Sequence, residues 1–398
     1  MKILIINASY KPAFIYGGPT MSVSKLSEVL MQSSVDVAVL TTTANGKVEL
    51  DLVPARAMNV DGVPVTYYKR LTRDHTHFSP QLYIGLIEKI NTAKAKNNPL
   101  IIHIHAWWNL VSIFSCLIAI LKKVPVILSP RGTLSTYSFG NKNDFIKKSI
   151  HFLLGKRLLK RCHIHATSEN ERAAIMKLFK PKGISVIPNL VTLPLKYIKL
   201  PGHAILNTDP SKPLPQKKKT FELLFFSRIE HKKGLELLFH ALQKLDFTFH
   251  LTVAGGGDQE YVTQLKNLTN LLKIGNKISW IGQQAPEKKF EIMAKYDALI
   301  LPSYDENFAN VVIESLACGT PVIITGNVGL SDYVLKKDFG WVCQFNELDL
   351  ILKLKEANKD LVKRERIRSE APDTIRNDFS DEKISKRYIE MYNLCISY

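Results

Sequence analysis

Two glutamates with seven residues between them, Glu306 and Glu314, sit in the stretch PSYDENFANVVIESLACGTPV at positions 302–322. Ionised carboxylates accept hydrogen bonds from hydroxyl groups more strongly than neutral side chains do, so this pairing suits a ligand rich in hydroxyls, such as a sugar or a ribose. The residues between and around them read as an apolar strand, ALILPS, a turn, YDENF, and a helix, ANVVIESLACG, stopped by Gly319. At the start of that helix the N–H groups of Asn310, Val311 and Val312 have no partners within the helix and carry partial positive charge. That is a setting for a diphosphate. The plainer reading is a strand, a turn and a buried helix with no ligand.

A second cluster follows another strand. In FFSRIEHKKGLELL, Arg228 and Lys233 stand at the strand's carboxyl end, just before a glycine that opens a helix. Two cations there would neutralise a pyrophosphate and stabilise charge growing on it as a bond to phosphorus-bound oxygen breaks; solvated surface side chains are the alternative. In YKPAFIYGGPT, after the first strand, Gly17 and Gly18 permit close backbone approach and Pro19 suits a first helical turn. HIHAWWN places His103 and His105 on one face of a strand. A hydrogen-bonded structural histidine is the commoner outcome for either, and His105, nearer the strand end, is the one expected at a ligand. SPRGTLS adds Arg131 and the Gly132 amide after a further strand, both expected to face the ligand cleft; the arginine suits a phosphate or hydroxyl, or a structural ion pair.

These groups need elements to position them. Short β-branched apolar runs alternate with amphipathic helical segments along the chain, the pattern of parallel sheets built from βαβ units. KILIINA, DVAVLTTT, VPVTYYK, LIIHIHA, VPVILSP, HIHATS and ISVIPN supply strands in the first half; FELLFFSR, FHLTVAG, KISWIG, DALILPS, TPVIIT and GWVCQ supply them in the second. Between them lies a Pro- and Lys-rich stretch with no sustained period. The expected architecture is α/β: two doubly wound, Rossmann-like parallel-sheet domains facing a cleft, at 1–195 and 220–378, joined by a linker at 196–219. A terminal helix at 379–398 is expected to cross back onto the first domain.

The chain has 398 residues, 45% hydrophobic and 23% charged, enough for two sizeable cores. Its 54 Lys and Arg against 36 Asp and Glu leave +18, which points to an anionic ligand or surface without choosing one. Five scattered cysteines show no zinc or redox spacing and read as reduced thiols of a cytoplasmic protein. The start reads as a strand rather than a secretion signal. LVSIFSCLIAIL, at 110–121, is shorter than the roughly 20 residues a spanning helix needs and reads as a buried helix.

Taken together, the five clusters resemble the retaining glycosyltransferases of family 4, which have the two-domain GT-B fold. The resemblance spans nearly the whole chain. It is carried most specifically by Glu306-x7-Glu314 running into ACGTPV, by Arg228 and KKG upstream, by AGGGD, and by SVIPN at the end of the first half. It implies that Arg228 and Lys233 contact donor phosphates, that Glu306 lies near the donor sugar and that Glu314 holds the ribose. It also implies that Gly17, Gly18 and His105 lie near the reacting centre, and it matches the family's SPRG element to Ser129–Gly132. The family often has Glu-Gly-Phe-Gly where this chain has Glu306, Asn307, Phe308 and Ala309, and Gly-His-x-Val where it has SSVDVAV.

The resemblance implies transfer of a sugar from a UDP- or GDP-linked donor to a hydroxyl acceptor, a glycan or lipid-linked glycan of the cell surface, with no separate cofactor. The chain contains no Asp-x-Asp pair, so no metal site is expected. KNDFIKKSIHFLLGKRLLKRC, at 142–162, interleaves apolar and basic residues. It fits peripheral contact with an anionic membrane at its inner face, or equally a packed helix with a solvated basic side. The rivals are an epimerase or phosphorylase on the same fold, a nicotinamide dehydrogenase, and a non-enzymatic binder of anions. AGGGDQE has Glu260 where the dehydrogenase fingerprint needs its last glycine. Lys217–Lys219 fall in the linker with no recognition motif beside them, so no nucleic-acid partner is expected.

Overall fold

The computed structural model describes residues 1–134, 155–194 and 220–396. The chain divides into two compact units, Met1–Leu190 with Phe379–Tyr398, and Val191–Asp378. The expected linker at 196–219 and the part of the basic stretch at 142–154 lie outside the described residues. In the remainder of that stretch Leu158 and Cys162 are buried and Lys156, Arg157, Lys160 and Arg161 are exposed.

In the first unit the elements are β1 (Lys2–Ile6), α1 (Gly18–Gln32), β2 (Asp36–Thr42), a small antiparallel hairpin of β3 (Ala44–Asn45) and β4 (Val48–Glu49), β5 (Ala57–Val60), β6 (Val63–Tyr68), α2 (Pro80–Ala95), β7 (Leu100–His105), α3 (Leu110–Leu121), β8 (Val126–Ser129), α4 (Lys156–Leu159), β9 (His163–Ala166), α5 (Glu169–Leu178) and β10 (Gly183–Val186). The sheet runs β10-β9-β8-β7-β1-β2-β6-β5, parallel except for its β5 edge. β1 shows why its run is apolar at every position: Leu4 and Ile6 enter the core beneath α2 and α3, while Ile3 and Ile5 enter the core beneath α1 and the terminal helix. A strand covered on both faces has no polar side. Each fully buried side chain of this kind contributes about 1.5–3 kcal/mol.

The second unit contains β11 (Phe221–Phe226), α6 (Leu235–Gln243), β12 (Phe249–Ala254), α7 (Gln259–Leu271), β13 (Ile278–Gly282), α8 (Lys289–Ala294), β14 (Ala298–Leu301), α9 (Asn310–Ala317), β15 (Val322–Thr325), α10 (Ser331–Lys337), β16 (Gly340–Cys343), α11 (Glu347–Lys359) and α12 (Leu361–Asp378). Its sheet is wholly parallel, in the order β13-β12-β11-β14-β15-β16. Strand order therefore reverses between β11 and β14, and in open parallel sheets ligands bind outside the carboxyl ends of the strands at that point. The loops after β11 and β14 are the ones carrying Arg228, Lys233 and Glu306. In the first sheet the reversal lies between β1 and β7, whose following loops carry Gly17, Gly18 and the His105 end.

The terminal helix, α13 (Asp381–Ile396), packs on the first unit: Ile384, Tyr388, Met391 and Tyr392 are buried with Val23, Leu26 and Leu30 of α1. The 110–121 segment is helical, with Val111, Ile113 and Cys116 in the core and Leu121 exposed. All five cysteines are buried and none is in a disulfide. No helix among the described residues is long and apolar enough to cross a membrane.

Candidate active site

In the second unit the backbone brings two loops together before any side chain meets. After β11, Ile229 donates to the Gly256 carbonyl at 2.8 Å. A short helical turn at His231–Lys233 then ends in Gly234, at φ 72°. A Cβ on Gly234 would stand 2.1 Å from the Pro302 carbonyl oxygen, so only glycine lets this turn lie against the end of β14. The Tyr304 N–H donates to the Lys232 carbonyl at 3.1 Å, the Glu306 N–H to Asn327 at 3.3 Å, and the Gly329 N–H to the Glu306 carbonyl at 2.8 Å.

This framework sets Lys233 against Glu306. The lysine is buried, and its Nζ is in contact with the Glu306 carboxylate. Burial pushes the Glu306 carboxyl upward, but the charges of Lys233, Lys232 and Arg228 outweigh it and hold the group below the ordinary carboxylate range. Arg228, half exposed, pairs with Glu230 at 2.6 Å. Glu314, inside α9, pairs with Lys289 of α8 at 2.7 Å. Lys289 is a partner that the sequence did not flag, because nothing in GQQAPEKKF distinguishes it from its neighbours.

The start of α9 corrects one expectation. Ala309 takes a left-handed conformation, φ 69°, and its carbonyl accepts the Val312 N–H at 2.9 Å. The Val312 amide therefore has a partner within the helix start, which it was expected to lack. Asn310 and Val311 occupy the first two helical positions as expected. Gly319, at φ 78°, closes the segment.

In the first unit Gly17, at φ 63° and ψ −135°, precedes α1, with Gly18 and Pro19 opening the helix. His105 ends β7 and is fully buried. Its Nδ1 accepts from Arg131 Nε at 3.0 Å. The same arginine donates through Nη1 to Ser22 Oγ at 3.0 Å and to Asn189 Oδ1 at 2.6 Å. Arg131 therefore holds His105, α1 and the Asn of SVIPN together. The Gly132 amide, expected to face a ligand, instead donates to the Glu171 carboxylate at 2.8 Å, a second correction. Burial, reinforced by neighbouring histidines and the Arg131 charge, holds His103 and His105 well below the usual imidazole range, so both are neutral. No group of three or more His, Cys, Asp or Glu among the described residues is placed to hold a metal ion.

Lys233 and Glu306 meet at the switch point of a parallel sheet, in a chain of two such sheets, which is where doubly wound α/β proteins of this kind bind their ligands. Residues 16–193 match the model of Glycosyltransferase Family 4, and residues 208–374 match that of Glycosyl transferases group 1. The chain belongs to the family 4-like glycosyltransferases and has the GT-B fold. An uncharacterised glycosyltransferase of Methanocaldococcus jannaschii is 23% identical over 100% of this chain and 99% of its own. Among solved structures, sucrose-phosphate synthase from Thermosynechococcus elongatus superposes with a TM-score of 0.74 at 19% identity, covering 100% of this chain and 99% of that one. Anabaena HepE, in complex with UDP-glucose, superposes at 0.72 and 18% identity, covering 99% of each chain.

Proposed function

We propose that the protein transfers a hexosyl or related sugar from a nucleotide-diphosphate sugar to a hydroxyl acceptor with retention of anomeric configuration. The observation that carries this reading is the partly buried Lys233–Glu306 pair at the β11/β14 switch point, beside the start of α9. Lys233 and Arg228 bind the donor diphosphate and stabilise the charge that develops on it. Glu306 faces the donor sugar, Glu314 holds the ribose, and Gly17, Gly18 and His105 line the reacting centre. In a front-face reaction the acceptor hydroxyl attacks the anomeric carbon on the leaving group's side and gives its proton to the departing phosphate oxygen, so no protein nucleophile is needed. The UDP-glucose complex of HepE supports a uridine or similar nucleotide. The acceptor we assign is a glycan or lipid-linked glycan of the cell surface, met at the inner membrane face.

A thermal-shift screen against sugar nucleotides identifies the donor, because a ligand that binds only the folded state raises apparent stability by mass action. Incubation of that donor with candidate acceptors, read by mass spectrometry and by the anomeric proton of the product, tests transfer and retention together. Epimerised donor without glycosylated acceptor would replace this reading with that of an epimerase. Transfer is expected to persist in excess EDTA; activity abolished by EDTA and restored by magnesium or manganese would replace Arg228 and Lys233 as the groups that neutralise the phosphates.

A further inference from the structure

The histidines on the face of the first sheet that α13 covers form a chain whose proton positions follow from a single atom. His165 Nε2 lies 2.8 Å from the main-chain oxygen of Ile187. A carbonyl only accepts, so Nε2 carries the proton and, in a neutral ring, Nδ1 offers the lone pair. Ser129 Oγ, 2.6 Å from that Nδ1, must then donate to it. Its own lone pair accepts from His103 Nε2 at 2.7 Å. That leaves His103 Nδ1 as an acceptor, 2.8 Å from the Tyr392 hydroxyl, which donates. Tyr388, one turn earlier on α13, lies 3.2 Å from His165 Nε2 and shares its proton as an acceptor.

His105 sits on this chain without being hydrogen-bonded into it. Its ring stacks on His103 with centroids 4.2 Å apart and planes tilted by 36°. Arg131 Nε occupies its Nδ1, so in the neutral ring the proton is on Nε2. That Nε2 is buried and has no hydrogen-bond partner among the described residues. A buried donor left unpaired costs about 1–3 kcal/mol, and such groups in native proteins call for a ligand or another explanation. Without Arg131 the ring could place its proton on either nitrogen and offer a lone pair where an oxygen of the ligand must be met.

We propose that Arg131 and Tyr392 are positioning residues that hold His105 as a neutral donor with its proton on Nε2, aimed at an oxygen atom of the substrate. Arg131 does so by occupying Nδ1, and Tyr392 by fixing the orientation of the His103 ring on which His105 rests. The proposal rests on the reading that His105 belongs to the sugar-transfer site, and it adds to that reading the device that keeps the imidazole in one tautomer.

The test uses the full-length chain labelled with 15N in its histidine rings, with the His105 resonances assigned by their loss in His105→Gln. Long-range 1H–15N correlations are expected to show His105 as the Nε2–H tautomer in the unsubstituted protein, a measurement that needs no activity. Arg131→Met is expected to shift His105 toward a mixture of tautomers, and Arg131→Lys, which keeps a donor near Nδ1, to restore the Nε2–H form in part. Tyr392→Phe is expected to move the His103 and His105 ring nitrogens without unfolding the protein. In transfer assays Arg131→Met is expected to lower kcat about tenfold, and Tyr392→Phe severalfold, with KM for the nucleotide sugar nearly unchanged, the scale of one hydrogen bond. His105 found as Nδ1–H in the unsubstituted protein overturns the proposal, whether or not the variants fold. An unchanged His105 tautomer in Arg131→Met removes Arg131 from it, and unchanged His103 and His105 shifts in Tyr392→Phe remove Tyr392. The expected tautomers in a protein that transfers no sugar would leave this arrangement standing and defeat the functional reading instead.

Discussion

The cluster around His105 in the first unit and the cluster around Glu306 in the second handle their polar groups differently, although the first unit has paired charges elsewhere, such as Arg70 with Glu49 at 2.6 Å. Around His105, the side chains of His103, Ser129, His165, Tyr388 and Tyr392 are joined by hydrogen bonds between neutral groups, and Arg131 donates to three uncharged acceptors, with the buried Glu171 carboxylate close by on the Gly132 amide. In the second, full charges stand in pairs: Lys233 with Glu306, Lys289 with Glu314, Arg228 with Glu230. Neutral networks are directional and hold one geometry once every donor is committed. Ion pairs have strong attraction but weaker directionality, and removing one partner leaves an uncompensated charge. The directional network therefore holds the side chains around His105 in one geometry. On the proposed function, an incoming anion would exchange partners with the lysines of the second cluster.

The largest effect that could break this comparison comes from Lys233→Ala. It is expected to lower turnover on the order of a hundredfold, about 3 kcal/mol in the barrier, because it removes a charge acting on the developing phosphate. Arg228→Ala is expected to move turnover in the same direction. Steady-state kinetics with full turnover in both variants would remove the cations of the second unit from the chemistry.

A pH series sharpens the same point through stability. In the unsubstituted protein Glu306 is held below its ordinary value of 4.5, so it contributes stability above that pH and loses it as the pH falls through the lowered folded value. In Lys233→Ala burial is opposed only by the weaker pull of Lys232 and Arg228, and the carboxylate becomes a cost at neutral pH. The melting temperatures of the two proteins are therefore expected to differ most near neutrality and to converge as the pH drops below 4.5. A gap independent of pH would mean that the pair is not what stabilises Glu306.

Calorimetry with the free nucleotide diphosphate gives the next effect. Glu314→Gln is expected to weaken binding about tenfold, the worth of a charged hydrogen bond to the ribose. Glu306→Gln is expected to leave that affinity nearly intact while reducing turnover. Equal binding by Glu314→Gln and the unsubstituted protein would make Glu314 a structural partner of Lys289 alone. The smallest effect is expected at Ala309, whose φ of 69° suits glycine better than alanine. Ala309→Gly is expected to stabilise the protein by up to about 1 kcal/mol in chemical denaturation, since the strain relieved slightly exceeds the backbone freedom added to the unfolded chain. A loss of stability there would show that the alanine methyl packs rather than strains.

Much of this molecule was legible from local pattern. The thirteen apolar runs read as strands are strands because each is a short apolar stretch, most of them β-branched, bounded by turn residues, and that information is contiguous. The hairpin at 44–49 and the edge strand at 57–60 escaped, being too short to show a period. Glu306, Glu314, Arg228 and Lys233 were visible because each lies a few residues from a strand end or helix start. Their residue types alone suggested phosphate and hydroxyl chemistry.

What only the tertiary structure decided is which group answers which. Lys233 meets Glu306 across 73 residues, Glu314 meets Lys289 across 25, and Tyr392 meets His103 across 289. Those meetings depend on strand order and on where the terminal helix lies against the sheet, and neither leaves a period or a motif in the chain. The same holds for the Val312 and Gly132 amides, which looked open to a ligand and have partners in Ala309 and Glu171. Sequence determines which donors and acceptors exist and the elements that carry them. Packing of distant segments determines which are satisfied, because a hydrogen bond depends on a few tenths of an ångström that only the assembled fold supplies.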